Sequence, residues 1–239
     1  MGFVLKLSVT VVCLAVLTAC GGGGTTNNVD PQGIWSGKSS NGYSVDAVVL
    51  DTGEAWGVYS SGSTIYGALY GYAKVNGSNI SINGTDFNFL SNRSVAANYS
   101  GSVIAKSSMS LSGNNASVPL TYQSIYDAPA TISAAMGSWS FDGRSGGVSL
   151  IPGAITVDGS GRFNLNQPNC VTTGVITPRP GGKNIYNISM TATGSACIPG
   201  LSPLDGVTYL DKSVTPNRFL TLVLNKEKSD GLIVIGTKQ

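Results

Sequence analysis

The sequence contains no histidine, and only 11% of its 239 residues are charged. Histidine is the side chain that titrates closest to neutral pH and the commonest metal ligand, so the usual general base and the usual metal donor are both missing. Lysine and arginine together number 14, aspartate and glutamate 12, and no segment forms a basic stripe. This composition argues against histidine-dependent catalysis. It also argues against nucleic-acid binding, which needs a basic surface.

Sustained helical periodicity is also missing after the first 19 residues. Hydrophobic residues make up 41% of the chain, enough for packed cores, and glycine contributes 32 residues. Val118, Leu120 and Tyr122 alternate with polar residues, as side chains do in a half-buried strand. Residues 231–236 form an apolar run between two glycines that predicts a final buried strand. The sequence therefore predicts an all-β protein of short antiparallel strands joined by tight turns.

The first 19 residues are predicted to be an export signal. One positive charge, Lys6, precedes an apolar run at residues 7–17 that is too short to span a bilayer comfortably. The segment Leu17-Thr18-Ala19-Cys20 resembles the bacterial lipobox, in which cleavage precedes the cysteine and its thiol receives diacylglycerol. The resemblance implies that Cys20 is the acylated first residue of the mature protein. An ordinary signal peptide with a chance cysteine is the alternative.

Residues 20–30 are predicted to be a flexible tether, because four consecutive glycines and small polar residues cannot bury a core. Gly21 stands where an inner-membrane retention signal carries aspartate. By resemblance to that sorting rule, the predicted location is the outer membrane, on either its periplasmic or its exterior side. The acyl group on Cys20 is the only cofactor-like group that we predict.

Two cysteines are left once Cys13, inside the leader, and Cys20 are set aside. An exported chain enters an oxidising compartment, where Cys170 and Cys197 are predicted to form a disulfide. The alternative is a pair of buried thiols that pack as small hydrophobic side chains.

A repeat organises the rest of the chain. The phrase Gly-Ile-Trp-Ser-Gly around Trp35 returns as Gly-Ser-Trp-Ser around Trp139. A turn at residues 51–53 followed by Trp56 corresponds to a turn at residues 158–161 followed by Phe163. Asn79-Ile80-Ser81-Ile82 likewise corresponds to Asn187-Ile188-Ser189-Met190. The nearly constant offset predicts two tandem β domains, at residues 31–128 and 137–239.

Each domain is predicted to contain about eight strands, arranged as an antiparallel meander that closes into a small barrel or folds as a sandwich. Closure would remove the unpaired edges that polar strands otherwise expose. Asn83-Gly84 is a two-residue hairpin signal and predicts a turn between strands. The Gly-x-Trp openings resemble those of lipocalin-like barrels, which implies an indole that plugs one barrel end above a tight bend at the glycine.

The lipobox, both Gly-x-Trp openings and the ending at residues 231–238 together resemble uncharacterised two-domain β-rich lipoproteins of proteobacterial envelopes. In architecture alone, the chain is also similar to surface lipoproteins that capture host proteins, such as factor H-binding protein. No motif of that protein is present, so none of its binding residues can be transferred to this chain.

Two catalytic patterns lack the residues that would complete them. Gly-Arg-Ser-Gly-Gly around Ser145 matches a nucleophile elbow, but the elbow needs a following helix and a histidine, and we interpret it as a glycine-rich turn. Asp51 and Glu54 could pair as hydrolase carboxylates, but they flank a turn and no apolar pocket nearby would raise the pKa of one of them. We predict no catalytic residues, no metal site and no enzymatic activity.

Tyr66, Tyr70 and Tyr72 are predicted to share one face of a strand. Such a row could stack on sugar rings, dock a protein, or pack as cross-strand aromatic pairs. These tyrosines are the candidate contacts for a glycan or protein partner. The other predicted partner is the membrane, reached through the lipid anchor, and nucleic acid is not predicted to bind.

The sequence favours a lipid-anchored, non-catalytic binding or interaction protein of the cell envelope. A structural or assembly accessory of the envelope is the first alternative. A carrier of small apolar ligands in a hollow barrel is the second. Large side chains such as Trp35, Trp56 and Phe87 predict that the barrel is filled, which argues against the carrier.

Overall fold

The computed structural model describes residues 27–146, 148–150 and 152–239. The predicted leader, Cys20 and most of the predicted tether lie outside these residues. The first eight strands form a closed antiparallel barrel in which each strand pairs with the next and β8 returns to β1. They are β1 (Gly33–Lys38), β2 (Ser44–Val49), β3 (Glu54–Ser61), β4 (Thr64–Asn76), β5 (Asn79–Asn88), β6 (Arg93–Ile104), β7 (Ser108–Gly113) and β8 (Ala116–Gln123).

The second half of the chain forms another antiparallel sheet, and a short linker precedes it. The linker contains a 3-10 turn (Ser124–Asp127) and α1 (Ile132–Ala135), which Thr131 caps by accepting a hydrogen bond from the Ala134 amide. Among the described residues, no helix has the length and hydrophobicity needed to cross a membrane. The remaining strands are β9 (Gly137–Ser145), β10 (Val148–Ser149), β11 (Gly153–Val157), β12 (Arg162–Gln167), β13 (Cys170–Pro178), β14 (Tyr186–Thr193), β15 (Leu204–Asp211), β16 (Arg218–Asn225) and β17 (Gly231–Lys238).

This second sheet is curled but less completely closed than the first. Its order runs from β10 through β9, β17, β16, β15, β14 and β13 to β12, and β11 also pairs with β9. The architecture is therefore all-β, with one closed barrel and one curled half-barrel in tandem, which confirms the predicted fold class. The final strand, β17, lies where the apolar run predicts it.

Both tryptophans of the repeated openings occupy the same structural position. The indole N–H of Trp35 donates to the carbonyl oxygen of Pro31 at 3.1 Å, and that of Trp139 donates to Ala135 at 2.7 Å. Each acceptor lies four residues before its tryptophan. A Cβ atom on Gly33 would lie only 2.9 Å from the Trp35 Nε1 atom. Glycine is required there because the chain bends tightly against the indole that closes the barrel end.

The turn equivalence predicted between the two halves is wrong by one residue. The Leu50 amide donates to the Glu54 carbonyl, and the Asp158 amide donates to the Arg162 carbonyl. These matching turns align Phe163 with the residue before Trp56. Because strand side chains alternate between faces, the shift places Phe163 inside its barrel and Trp56 outside the other.

The predicted hairpin at Asn83-Gly84 is also wrong, because β5 runs straight through it. Gly84 pairs with Gly71 of β4, and a Cβ atom on Gly84 would lie 2.0 Å from the Tyr70 carbonyl oxygen. The glycine therefore permits the close approach of two backbones in the barrel wall. The chain turns at Gly77 instead, where φ is +61°.

The two barrels share a hydrophobic core between their outer faces. Trp56 and Phe87 belong to this inter-barrel core and point away from the barrel interior, so the prediction that they fill it is wrong. Trp35 does lie inside the barrel. The first barrel contributes Ile34, Val48, Trp56, Val58, Ile65, Ala68, Tyr70, Phe87 and Phe89, and the second contributes Ile185, Val207, Tyr209, Leu222, Leu224 and Ile233.

Candidate functional site

The first barrel encloses a cavity of about 240 Å³. Trp35 lies on its wall, towards the end where β1 begins. Asn41, Asn88 and Asn114 line it too; the first and third lie in the β1–β2 and β7–β8 connections and the second ends β5, so all three mark the opposite end of the meander. The wall between is apolar, formed by residues that include Val49, Ala55, Leu69, Ile82, Met109, Leu111, Val118 and Leu120.

Among the described residues that line this cavity, Asp86 is the one carboxylate. The Tyr59 hydroxyl donates to Asp86 Oδ1 at 2.8 Å. Burial raises the pKa of the Asp86 carboxyl group, and the hydrogen bond from Tyr59 lowers it by a smaller amount. Burial also raises the pKa of Tyr59, and the negative charge of Asp86 adds to that increase. No lysine or arginine is among the described residues that line the cavity.

Three tyrosines line the cavity together with this carboxylate. The rings of Tyr43 and Tyr59 lie 5.7 Å apart, and Tyr99 lines the same cavity. Burial raises the pKa of the Tyr99 hydroxyl, and the charge of Asp86 raises it further. Asp86 and the tyrosines therefore form one partly buried polar cluster on an otherwise apolar wall.

The second barrel encloses a cavity of about 280 Å³ with a different lining. No charged side chain is among the described residues that line it. Its polar groups are hydroxyl and amide side chains, such as Ser149, Gln167 and Thr221. The remaining wall is aromatic and aliphatic, and includes Trp139, Phe141, Ile155, Phe163, Ile188, Met190, Leu204, Phe219 and Leu232.

The predicted disulfide between Cys170 and Cys197 is present and borders this second cavity. It joins the start of β13 to the connection between β14 and β15. The same connection places Ile198 and Leu201 against the interior core of the second barrel. The Ala196 amide also donates to the Asn169 carbonyl at 3.0 Å. The bond therefore fixes a segment of the cavity wall.

A third cavity, of about 370 Å³, lies between the barrels and has polar walls. Its lining includes Glu54 and Trp56 from the first barrel and Arg179, Asp205 and Lys228 from the second. The Lys228 ammonium nitrogen lies 5.5 Å from the ring centroid of Trp56. The Trp56 indole N–H is buried and has no hydrogen-bond partner among the described residues.

The three predicted tyrosines do not form one row. Tyr70 and Tyr72 share the outer face of β4, with their hydroxyl oxygens 3.0 Å apart. A β-bulge in the pairing of β3 with β4 puts Tyr66 out of phase with Tyr70 and Tyr72. The ring centroid of Tyr66 instead lies 4.9 Å from that of Tyr43. Tyr70 packs against Trp56 on the neighbouring strand, with ring centroids 4.6 Å apart, as the cross-strand alternative proposes. Ligand contact by any of the three stays a prediction.

The residues weighed as catalytic lie apart from the two barrel cavities. Asp51 Oδ1 accepts hydrogen bonds from Arg179, the closer at 2.8 Å, and Glu54 accepts one from Tyr70. Ser145 is buried at the end of β9, and residues 143–145 belong to that strand, so the predicted glycine-rich turn begins only at Gly146. Across the part of the chain that the structure describes, no three histidine, cysteine, aspartate or glutamate side chains are grouped to bind a metal ion.

Sequence reasoning missed Asp86, although a signal for it exists. Ile80, Ile82 and Gly84 occupy alternate positions on β5, and Asp86 continues that series. An acidic residue in phase with interior apolar positions indicates a polar group inside the barrel. The false hairpin at Asn83-Gly84 interrupted the alternation and concealed the signal.

No protein-family model matches the chain, and no curated protein matches it. Among solved structures, the chain is similar to a Bacteroides fragilis protein provisionally assigned to the outer membrane. The two are 11% identical, the match covers 87% of this chain and 96% of the other, and the TM-score is 0.23.

Proposed function

We propose that the chain is a lipid-anchored, non-catalytic binding protein of the cell envelope whose barrels hold small ligands. The main support is that the first barrel, which strand pairing closes completely, still contains a cavity of about 240 Å³. An apolar cavity of about 150 Å³ is large enough to admit benzene. Trp56 and Phe87, which would have filled the barrel, lie outside it.

Sequence features support the envelope location and the absence of catalysis. The lipobox resemblance ending at Cys20 supports acylation, and the acyl chains would hold the protein on a membrane. The chain has no histidine to act as a general base. Among the described residues that line the two barrel cavities, Asp86 is the one carboxylate. A lone carboxylate does not provide the paired carboxylic acid and carboxylate that most glycoside hydrolases use.

Carriage of small apolar ligands is the second candidate function, and the second cavity favours it. That cavity measures about 280 Å³ and its described lining carries no charge. Ligand pockets typically combine such an apolar wall with a few polar groups that orient the ligand. A purely structural envelope accessory would not need two retained cavities.

Two matched glycine substitutions test ligand binding in the barrels. Gly57 lines the first cavity and Gly236 the second, and a Cβ atom on either would have no contact closer than 3.5 Å. We expect benzene to shift the NMR signals of residues around both cavities. Gly57→Leu should abolish only the shifts in the first barrel, and Gly236→Leu only those in the second. In each variant, the shifts that persist in the unaltered barrel show that the protein is folded.

Absence of benzene-induced shifts in both barrels would contradict the proposal and favour the structural accessory. The anchor is tested separately by mass spectrometry of the protein from cells. We expect a mature amino terminus at Cys20 that carries acyl chains, and accumulation of the uncleaved chain in the Cys20→Ala variant. An unmodified or uncleaved wild-type terminus would refute the anchor without affecting the cavities.

A further inference from the structure

The first cavity presents an acidic group that has no positive partner among the described residues. Asp86 lies on its wall, and its Oδ1 atom accepts a hydrogen bond from the Tyr59 hydroxyl at 2.8 Å. A partly buried carboxylate normally pairs with a cation, because removing a charge from water is costly. Here no lysine or arginine occurs among the described residues that line the cavity.

The side chains around Asp86 suit a cation of a particular kind. Tyr43, Tyr59 and Tyr99 line the cavity with Asp86, and aromatic faces attract ammonium groups. Asn88 and Asn114 line the cavity too, but their Oδ1 atoms already accept hydrogen bonds from backbone amides, so Asp86 is the acceptor that we assign to the ammonium group. The rest of the wall is aliphatic, from Val49 and Ala55 to Met109 and Leu120, and would contact an apolar body.

We propose that the first barrel binds a small amphipathic amine, with its ammonium group against Asp86 and its apolar body along the aliphatic wall. This inference rests on the proposed function and adds the ligand class. A carboxylate ligand such as a fatty acid would bring a second negative charge beside Asp86. An uncharged apolar ligand would leave Asp86 without a cation. The second cavity, whose described lining has no charged residue, has no such preference.

The experiment compares two probes of matched shape, 2-phenylethylamine and 2-phenylethanol. Titration calorimetry and NMR use the mature chain from residue 20 with Cys20→Ser, which removes only the acyl group. We expect the amine to shift the signals of residues around Asp86 and to bind about ten- to hundredfold more tightly than the alcohol, the range expected for a charge-assisted contact.

Asp86→Asn keeps the shape of the side chain and removes its charge. We expect this variant to lose the tenfold or greater preference for the amine while still binding 2-phenylethanol. Asp205→Asn is the matched control, because this substitution removes the same charge from a residue that lines the cavity between the barrels. We expect it to bind both probes as the wild-type protein does. Gly57→Leu should block both probes in the first barrel.

The outcomes separate the two proposals. Equal wild-type affinities for the amine and the alcohol would overturn the amine inference and leave ligand binding in the barrel intact. Amine binding that survives Asp86→Asn unchanged would also overturn it. Failure of both probes, together with failure of benzene, would overturn the proposed function as well. The comparison of the two probes on the Cys20→Ser chain requires no substitution in the barrel, so it stands even if Asp86→Asn does not fold.

Discussion

Individual tryptophans differ in how their indole N–H groups are satisfied. Trp139 and Trp56 are both buried, and each has a lysine ammonium over its ring, from Lys238 and Lys228 respectively. The Trp139 N–H donates to the Ala135 carbonyl, whereas the Trp56 N–H has no partner in the part of the chain that the structure describes. A comparison of substitutions at these two tryptophans therefore measures the contribution of one buried hydrogen bond to stability.

We predict that Trp139→Phe lowers the free energy of unfolding by about 1–2 kcal/mol more than Trp56→Phe does. Both substitutions remove a similar volume from a core, so the packing loss largely cancels in the comparison. The first also leaves the Ala135 carbonyl unpaired, and the second removes a buried donor that had no acceptor. Urea unfolding measures both values. Equal losses would contradict this account of the two sites.

Asp127 connects the two barrels by charge. Its carboxylate accepts hydrogen bonds from Lys183 at 2.7 Å and Lys106 at 2.9 Å, and these hold the pKa of Asp127 well below its usual value. Tyr122 donates to the same carboxylate. Because the pKa is lower in the folded chain, this contribution to stability is fully present above about pH 4 and is lost as the pH falls further.

We predict that Asp127→Asn removes this part of the pH dependence. The difference in unfolding free energy between the wild type and the variant should be largest near neutral pH and shrink as the pH falls below about 4. Burial raises the pKa of Asp46 and Asp86, so their contributions have the opposite sign but are common to both proteins. Denaturant unfolding across that pH range provides the measurement. A difference independent of pH would refute the prediction.

At the scale of elements, the pairing of β4 with β5 depends on backbone proximity. We predict that Gly84→Ala destabilises the protein by about 1–3 kcal/mol, because its new Cβ atom would meet the Tyr70 carbonyl oxygen at 2.0 Å. Gly57→Ala is the matched control, since its nearest neighbour would be the Leu69 Cβ at 3.6 Å. We expect the control to be neutral or slightly stabilising. Thermal unfolding distinguishes the two, and similar losses would contradict the argument.

Strand signals proved easier to predict than the exact turns. Alternation in β8 and the apolar run of β17 identified strands because each pattern depends only on neighbouring residues. The bulge beside Tyr66 and the close contact at Gly84 depend on a second strand, whose register local residues do not reveal. The same ignorance of register placed Trp56 and Phe87 inside the barrel, although both lie outside it.

At the scale of the whole molecule, the inter-barrel core is the feature that makes the two halves interdependent. Large side chains such as Trp56, Phe87 and Tyr209 are buried within it. Domains joined by an extensive apolar interface are not expected to move or unfold independently. The two barrels are therefore packed against each other and are not independent domains joined by a flexible linker.

We predict that both barrels unfold in one transition. In a Trp56→Phe background, Trp139→Phe leaves Trp35 to report on the first barrel, and Trp35→Phe leaves Trp139 to report on the second. Each reporter protein is also followed by circular dichroism, which detects strands of both barrels and controls for the different stabilities of the two variants. Two separated transitions in either protein would show that the barrels unfold independently.

The sequence by itself determined the strand-rich composition, the duplicated unit and the two cysteines available for a disulfide. It also predicts an export signal that ends before an acylated Cys20. These features depend on residue type and on short-range order along the chain, both of which the sequence displays directly. Only the tertiary structure decided which side of each barrel wall a residue faces. A shift of one residue reverses the inside and outside of a strand, and so the location of Asp86 in a cavity and of Trp56 in the inter-barrel core became visible only when the strands were paired.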